Sequence, residues 1–198
     1  MQKRGRAKKD QILVTSRQLF TDKNYFNVST NEIARQAGVS IGTLYAYFSS
    51  KEDILIELLK NYNESFLPIF ESINSKNSFY TFKTDTKVWL AALIEQLMNT
   101  EDQKFHLQIE TLAITIPEAQ TFLEVHNEKI KNLTYECFLY YADQTDVHEI
   151  KILATVVFDY LSALVDELLY HDHTSDEKEA IKQCGIDSIY TIIKTLLV

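Results

Sequence analysis

The sequence predicts an all-α protein: a three-helix N-terminal head carrying a helix-turn-helix, then a larger helical C-terminal body, about nine helices in total. Three observations predict it. Only four Gly and two Pro occur in 198 residues, too few for the many tight turns of an all-β fold. Apolar residues recur at three- and four-residue spacing. Helix-capping residues, among them Ser29, Ser40 and Ser49 or Ser50, stand where such stretches begin. The length suits a small domain joined to a larger one, with an expected division into residues 1–50 and 51–198.

The first helix is expected from Lys8 to Asp22, with Ile12, Leu13, Ser16, Leu19 and Phe20 on one face. Asn24 follows as a residue that tolerates the left-handed conformation. Ser29-Thr30-Asn31-Glu32 is a capping box: the Ser29 hydroxyl satisfies an orphan amide and Glu32 reaches back to the cap. A short second helix, Asn31 to Ala37, ends at Gly38. Ser40 caps a third, about Ile41 to Phe48, and a fourth begins Lys51-Glu52-Asp53. Two short helices joined by Gly38-Val39-Ser40 form a helix-turn-helix, with Ile33, Ala34 and Ala37 as its small inner face and Val39 and Leu44 filling the angle.

Beyond the head the expected helices span 52–75, 84–99, 102–115, 117–142, 147–171 and 176–197. Pro68 is expected to kink the first, since it removes one backbone bond and clashes one turn back. Pro117 stands at a first helical turn, beside Glu118 at the positive end of the dipole. Apolar residues fall on nearly every face between Ile150 and Leu169, the mark of a helix covered on two sides. Val157, Leu161, Leu164 and Leu168 there, with Ile181, Cys184, Ser188 and Ile192 on the last helix, read as half of an intersubunit four-helix bundle. Burial within one chain is the competing reading. Gly185 costs a mid-helix position about 1 kcal/mol, which a close helix approach would offset.

Net charge is −8 over the whole chain, but residues 1–60 carry ten Lys/Arg against six Asp/Glu, a net of +4 that leaves −12 for the rest. A basic head on an acidic body is expected when only the head meets phosphate; a solubilising basic tail is the alternative. Met1 to Asp10 leads into no apolar segment, and no run approaches the ~18 apolar residues of a membrane span. The expectation is a cytoplasmic protein with no membrane partner. Cys137 and Cys184 form no C-x-x-C pair and read as two buried free thiols of a reducing compartment.

The stretch Ser29 to Leu55 closely resembles the helix-turn-helix signature of the tetracycline-repressor (TetR/AcrR-like) family of bacterial regulators. The resemblance rests on Ile33-Ala34, Ala37-Gly38-Val39-Ser40, Gly42, Leu44-Tyr45, Tyr47-Phe48 and Lys51-Glu52 with Leu55. It covers about a quarter of the chain and departs from the family pattern at Asn24, where a glycine is usual. It implies that the third helix is a recognition helix in the major groove of a pseudo-palindromic double-stranded operator. The residue chemistry agrees. Gly42 lets the backbone approach DNA; Thr43, Tyr45 and Tyr47 offer hydroxyls to phosphates or base edges; Lys51, Ser29, Thr30 and Ser40 stand at helix N-termini that favour phosphate. Leu44 and Phe48 read instead as core.

The resemblance further implies a homodimer whose body binds a small-molecule effector that releases the head from DNA. Candidate pocket residues are Trp89, Phe105, His106, Glu110, Phe138, Tyr141 and Phe158, a mixture of aromatic walls and polar groups. Core packing is the competing reading for the aromatics, and a satisfied pair for His106 and Glu110. His171 and His173 have no evident third ligand, so neither metal nor cofactor is expected. No nucleophile motif or glycine-rich phosphate loop suggests an enzyme. A DNA-binding or protein-interaction module without an inducer, on the same scaffold, is the alternative function.

Overall fold

The structure, a computed structural model, describes residues 2–73, 75–100, 105, 108, 112, 115–141 and 146–194. Among the described residues there is no strand. Helix α1 runs Gln2–Lys23, α2 Thr30–Gln36, α3 Ile41–Tyr47, α4 Lys51–Glu64, α5 Leu67–Ile73, α6 Lys76–Thr84 and α7 Thr86–Thr100. After the expected 102–115 helix, much of which lies outside the described residues, α8 runs Pro117–Tyr141, α9 Val147–Tyr170 and α10 Ser175–Lys194. The all-α fold with an N-terminal helix-turn-helix is as the sequence predicts.

The chain packs as two compact units, Met1–Glu64 with Asp102–Glu124, and Ser65–Glu101 with Val125–Val198. Helix α4 thus belongs to the same unit as α1 to α3. In the first unit Ile12, Leu13, Ser16, Leu19 and Phe20 form the buried face of α1. The Ser16 hydroxyl satisfies its own burial by donating to the Ile12 carbonyl at 2.7 Å. Ile33, Ala34 and Ala37 are buried against them. The Ser29 hydroxyl caps α2 by accepting from the Glu32 amide at 3.2 Å, while the Glu32 carboxylate pairs with Lys23 of α1. Gly38, at φ 65°, closes α2 in a conformation that suits glycine. Asn24 has φ 68° with ψ 142°, so its φ is positive as expected but its ψ lies outside the left-handed helical well.

The second unit differs from the expected spans at two places. Pro68 does not kink a continuous helix: α4 ends at Glu64, the residue whose carbonyl the ring would strike, and the proline sits in the first turn of α5. Helix α6 was not expected. Its signal is Ser75, whose hydroxyl accepts from the Ser78 amide at 3.2 Å. The core joins α7, α8, α9 and α10 through Leu90, Ile94, Phe138, Leu153, Val157 and Ile189. No helix among the described residues is long and apolar enough to cross a membrane.

Candidate nucleic-acid interface

Helices α2 and α3 present hydroxyls outward while Ile33, Ala34 and Leu44 face in. Leu44 and Phe48 are buried, as read from the sequence. Tyr45 and Tyr47 are exposed by 50% and 36%, and Ser29, Ser40 and Gly42 are exposed beside them. Two hydroxyl pairs order this face: Thr30 Oγ1 with Tyr45 Oη at 3.0 Å, and Ser40 Oγ with Thr43 Oγ1 at 2.8 Å. The first pair bridges α2 to α3. Ser40 also caps α3 by accepting from the Thr43 amide at 3.1 Å. A Cβ added to Gly5 would lie 3.4 Å from the Tyr47 hydroxyl, so this tyrosine reaches the first turns of α1. Gly42 has open space where a Cβ would stand; nothing in the chain's own packing requires glycine there.

Lys51 is placed differently from the other candidates. Its Nζ donates to the carbonyls of Tyr25 at 3.1 Å and Val28 at 3.0 Å and lies 4.1 Å from the centre of the Tyr25 ring. Burial lowers its pKa, opposed by the neighbouring Glu52 charge. The Tyr25 hydroxyl in turn donates to Glu52 Oε1 at 2.9 Å. Sequence reading missed this cluster because Tyr25 reads only as the end of the first-helix pattern.

The described candidate effector residues fall in both units. Phe105 belongs to the first unit, with its ring under the Arg17 guanidinium at 4.9 Å and edge-on to Tyr62 at 5.9 Å. Trp89, Phe138 and Phe158 belong to the second. Trp89 donates to Ser78 Oγ at 2.7 Å and meets Phe82 edge-on at 5.0 Å. It also lines an open depression of about 240 Å³ with Ser72, Asn77, Thr81, Leu93 and Gln96. Phe138 is buried in the core, 6.3 Å from Phe82, and Phe158 is half-buried beneath Lys131 at 5.3 Å. His106, Glu110 and the Tyr141 side chain lie outside the described residues.

Of the expected bundle residues, Val157, Leu164 and Leu168 are buried within the chain itself, and Leu161, Ile181 and Ile192 pack against the same core. The period-3.6 pattern marks a helix as covered without saying by which chain. What α9 leaves exposed is a different stripe, Ile152, Val156 and Tyr160, four residues apart along one face. Cys184 is exposed rather than buried and Ser188 half-buried on α10. Only Cys137 is the buried thiol expected, with burial pushing its pKa up to about 12. His171 and His173 both engage the Glu167 carboxylate, at 3.3 and 2.7 Å, and no cluster among the described residues is arranged to hold a metal ion.

Comparison with known proteins agrees with this geometry. Residues 12–58 match the family described as bacterial regulatory proteins, tetR family, and residues 67–195 match the tetracyclin repressor-like C-terminal domain. The chain is 39% identical over 69 residues to the fatty acid metabolism regulator protein of Bacillus subtilis, covering 35% of this chain and 36% of that one. It is 24% identical over 132 residues to the transcriptional activator FasR of Mycolicibacterium smegmatis, covering 65% and 58%. The matched stretches thus span about a third and somewhat over half of these relatives' lengths. Salmonella enterica GusR shares the fold with a TM-score of 0.75 at 16% identity, covering 95% of this chain and 96% of that one. A TetR-family regulator from Syntrophomonas wolfei does so at 0.72 and 19%, covering 98% of each. With a head built to present hydroxyls and both of its parts matched, the chain is a DNA-binding transcriptional regulator rather than an enzyme, and it belongs to the TetR family of bacterial regulatory proteins.

Proposed function

We propose that the chain is a homodimeric repressor that reads a pseudo-palindromic operator with α3 and leaves it when a small organic molecule binds the second unit. The observation that carries the operator reading is Gly42, a glycine with open space around it in the middle of an exposed hydroxyl face. Such a position suits a close backbone approach to DNA. Tyr45, Tyr47, Thr43 and Thr30 would bond phosphates or base edges, and the helix N-termini at Ser29 and Ser40 would favour phosphate. The net +4 of residues 1–60 supports the same surface.

Two-fold operators need paired heads about 34–36 Å apart, or a multiple. The stripe of Ile152, Val156 and Tyr160, with Cys184 and Ser188 of α10, supports a two-fold contact with a second copy. For the effector, the depression beside Trp89 supports a ligand with an apolar face, since its lining mixes Leu93 and Trp89 with neutral polar groups. Release requires the effector to favour the conformation that no longer fits DNA, with a coupling of about 1–3 kcal/mol.

Selection of bound duplexes from a random pool tests this reading. The expected result is one inverted repeat, bound with a steep salt dependence and released by products of the regulated genes, with a change in Trp89 fluorescence. Recovery of unrelated duplexes would sink the operator reading. An inverted repeat bound regardless of every such compound would favour a module without an inducer.

A further inference from the structure

The open depression beside Trp89 lies wholly within the second unit and is lined from three helices. Helix α7 supplies Val88, Trp89, Ala92 and Leu93, which share one face at three- and four-residue spacing. The indole is held from two sides, edge-on to the Phe82 ring at 5.0 Å and through its N–H by Ser78 Oγ at 2.7 Å. Its plane is therefore set before anything binds. Such a fixed aromatic face, beside the exposed Val88, suits a flat ring.

The hydroxyls of the lining hold an unequal stock of protons and lone pairs. Ser72 of α5 donates its proton to the Ile69 carbonyl at 2.7 Å, and Thr81 of α6 donates its own to the Asn77 carbonyl at 3.2 Å. A hydroxyl has one proton and two lone pairs, so Ser72 and Thr81 meet a ligand with lone pairs only. The indole N–H is likewise spent, on Ser78, whose own proton no acceptor among the described residues takes. The exposed amides of Asn77 and Gln96 carry both a donor and an acceptor and favour neither kind of ligand. We propose that the depression binds a neutral planar ring bearing a hydroxyl or an amide N–H, which gives its proton to the Ser72 or Thr81 oxygen. The matching carboxylate is rejected, because it sheds water to face those same lone pairs. The proposal rests on the effector reading given above and names the ligand class of that site.

Titration of the full chain with p-cresol, toluene and p-toluate, three rings of similar shape, gives the test, with the sole tryptophan, Trp89, as reporter. p-Cresol should shift the Trp89 emission saturably. Toluene should bind about two- to tenfold more weakly, the scale of a neutral hydrogen bond, and p-toluate at least about tenfold more weakly. Ser72→Ala combined with Thr81→Val removes both oxygens, and the gap between p-cresol and toluene should then close while toluene still binds. No saturable shift with p-cresol, p-toluate bound as tightly as p-cresol, or a gap that survives in the folded double variant overturns the proposal. Should the double variant not fold, the comparison of the three compounds in the unaltered protein decides alone. Release of the selected operator is scored separately: p-cresol that binds without releasing it upholds the ligand class and tells against the effector reading.

Discussion

Gly185 of α10 stands against Leu164 of α9 so closely that an added Cβ would lie 2.7 Å from Leu164 Cδ1 and 3.0 Å from its Cγ. Leu164 is itself buried and has little room to turn away. Gly185→Ala therefore sets a helix-propensity gain of up to about 1 kcal/mol against an overpacking cost of about 1–3 kcal/mol. The expected outcome is a net loss of roughly 1 kcal/mol in urea unfolding. A stabilised variant would show that the two helices part easily.

Asn24 combines φ 68° with ψ 142°, and its side chain accepts from the Phe26 amide at 3.2 Å. Alanine there would keep the backbone strain and lose the acceptor, so Asn24→Ala is expected to cost about 1–2 kcal/mol. Asn24→Gly relieves the strain and should stay within about 1 kcal/mol of the parent. Denaturation midpoints in the order alanine, asparagine, glycine, or with the last two equal, would bear this out.

Gly42 offers a separation of stability from function. An added Cβ meets nothing within 4 Å in the free protein, and leucine is a better helix former by about 0.5–1 kcal/mol. Gly42→Leu should melt no lower than the parent and bind operator at least about tenfold more weakly, by electrophoretic mobility shift. Unchanged affinity would remove this residue from the DNA face.

Val156 and Val157 are neighbours with opposite surroundings, 45% and 4% exposed. Val156→Glu places charge on the proposed two-fold face and should yield a folded monomer by light scattering. Val157→Glu places it in the chain's own core and should cost about 3 kcal/mol or more. If Val156→Glu still dimerises, the contact lies elsewhere.

Tyr25 carries a pKa raised above its ordinary value of 10.0, first by burial and then by its hydrogen bond to Glu52. The folded state thus resists ionisation more than the unfolded chain. The stability this represents is whole below about pH 10 and is lost as pH rises beyond it toward the folded value. Tyr25→Phe has no proton to lose at that position, so its stability should decline less steeply above about pH 10. Parallel curves for the two proteins in alkaline urea titrations would contradict this.

What the sequence made legible was local. Ser29, Gly38 and Ser40 each act within four residues, through a cap or a turn, and the helices they delimit lie where the spacing put them. Contacts between distant segments carry no such pattern. That Phe105 meets Arg17 and Tyr62 could not be read from the sequence, because both stand far off in the chain. On α9 periodicity marks Leu164 and Leu168 as covered without saying by which chain, while Ile152 and Val156 are equally apolar letters on another face. The contacts of Lys51 show the same limit, since nothing in the sequence places the carbonyls of Tyr25 and Val28 beside it.

The grip of Phe105 on Arg17 and Tyr62, and the bond from Gln108 to the Thr21 carbonyl across 87 positions, also order the birth of the protein. A ribosome releases α1 to α4 early, but Phe105 and Leu112, buried in that unit's interior, emerge only after α5, α6 and α7. Until then the back of the head is uncovered apolar surface, dependent on loop closure over a long stretch of chain. The newborn protein therefore closes the interior of its first unit only once much of the rest has been made.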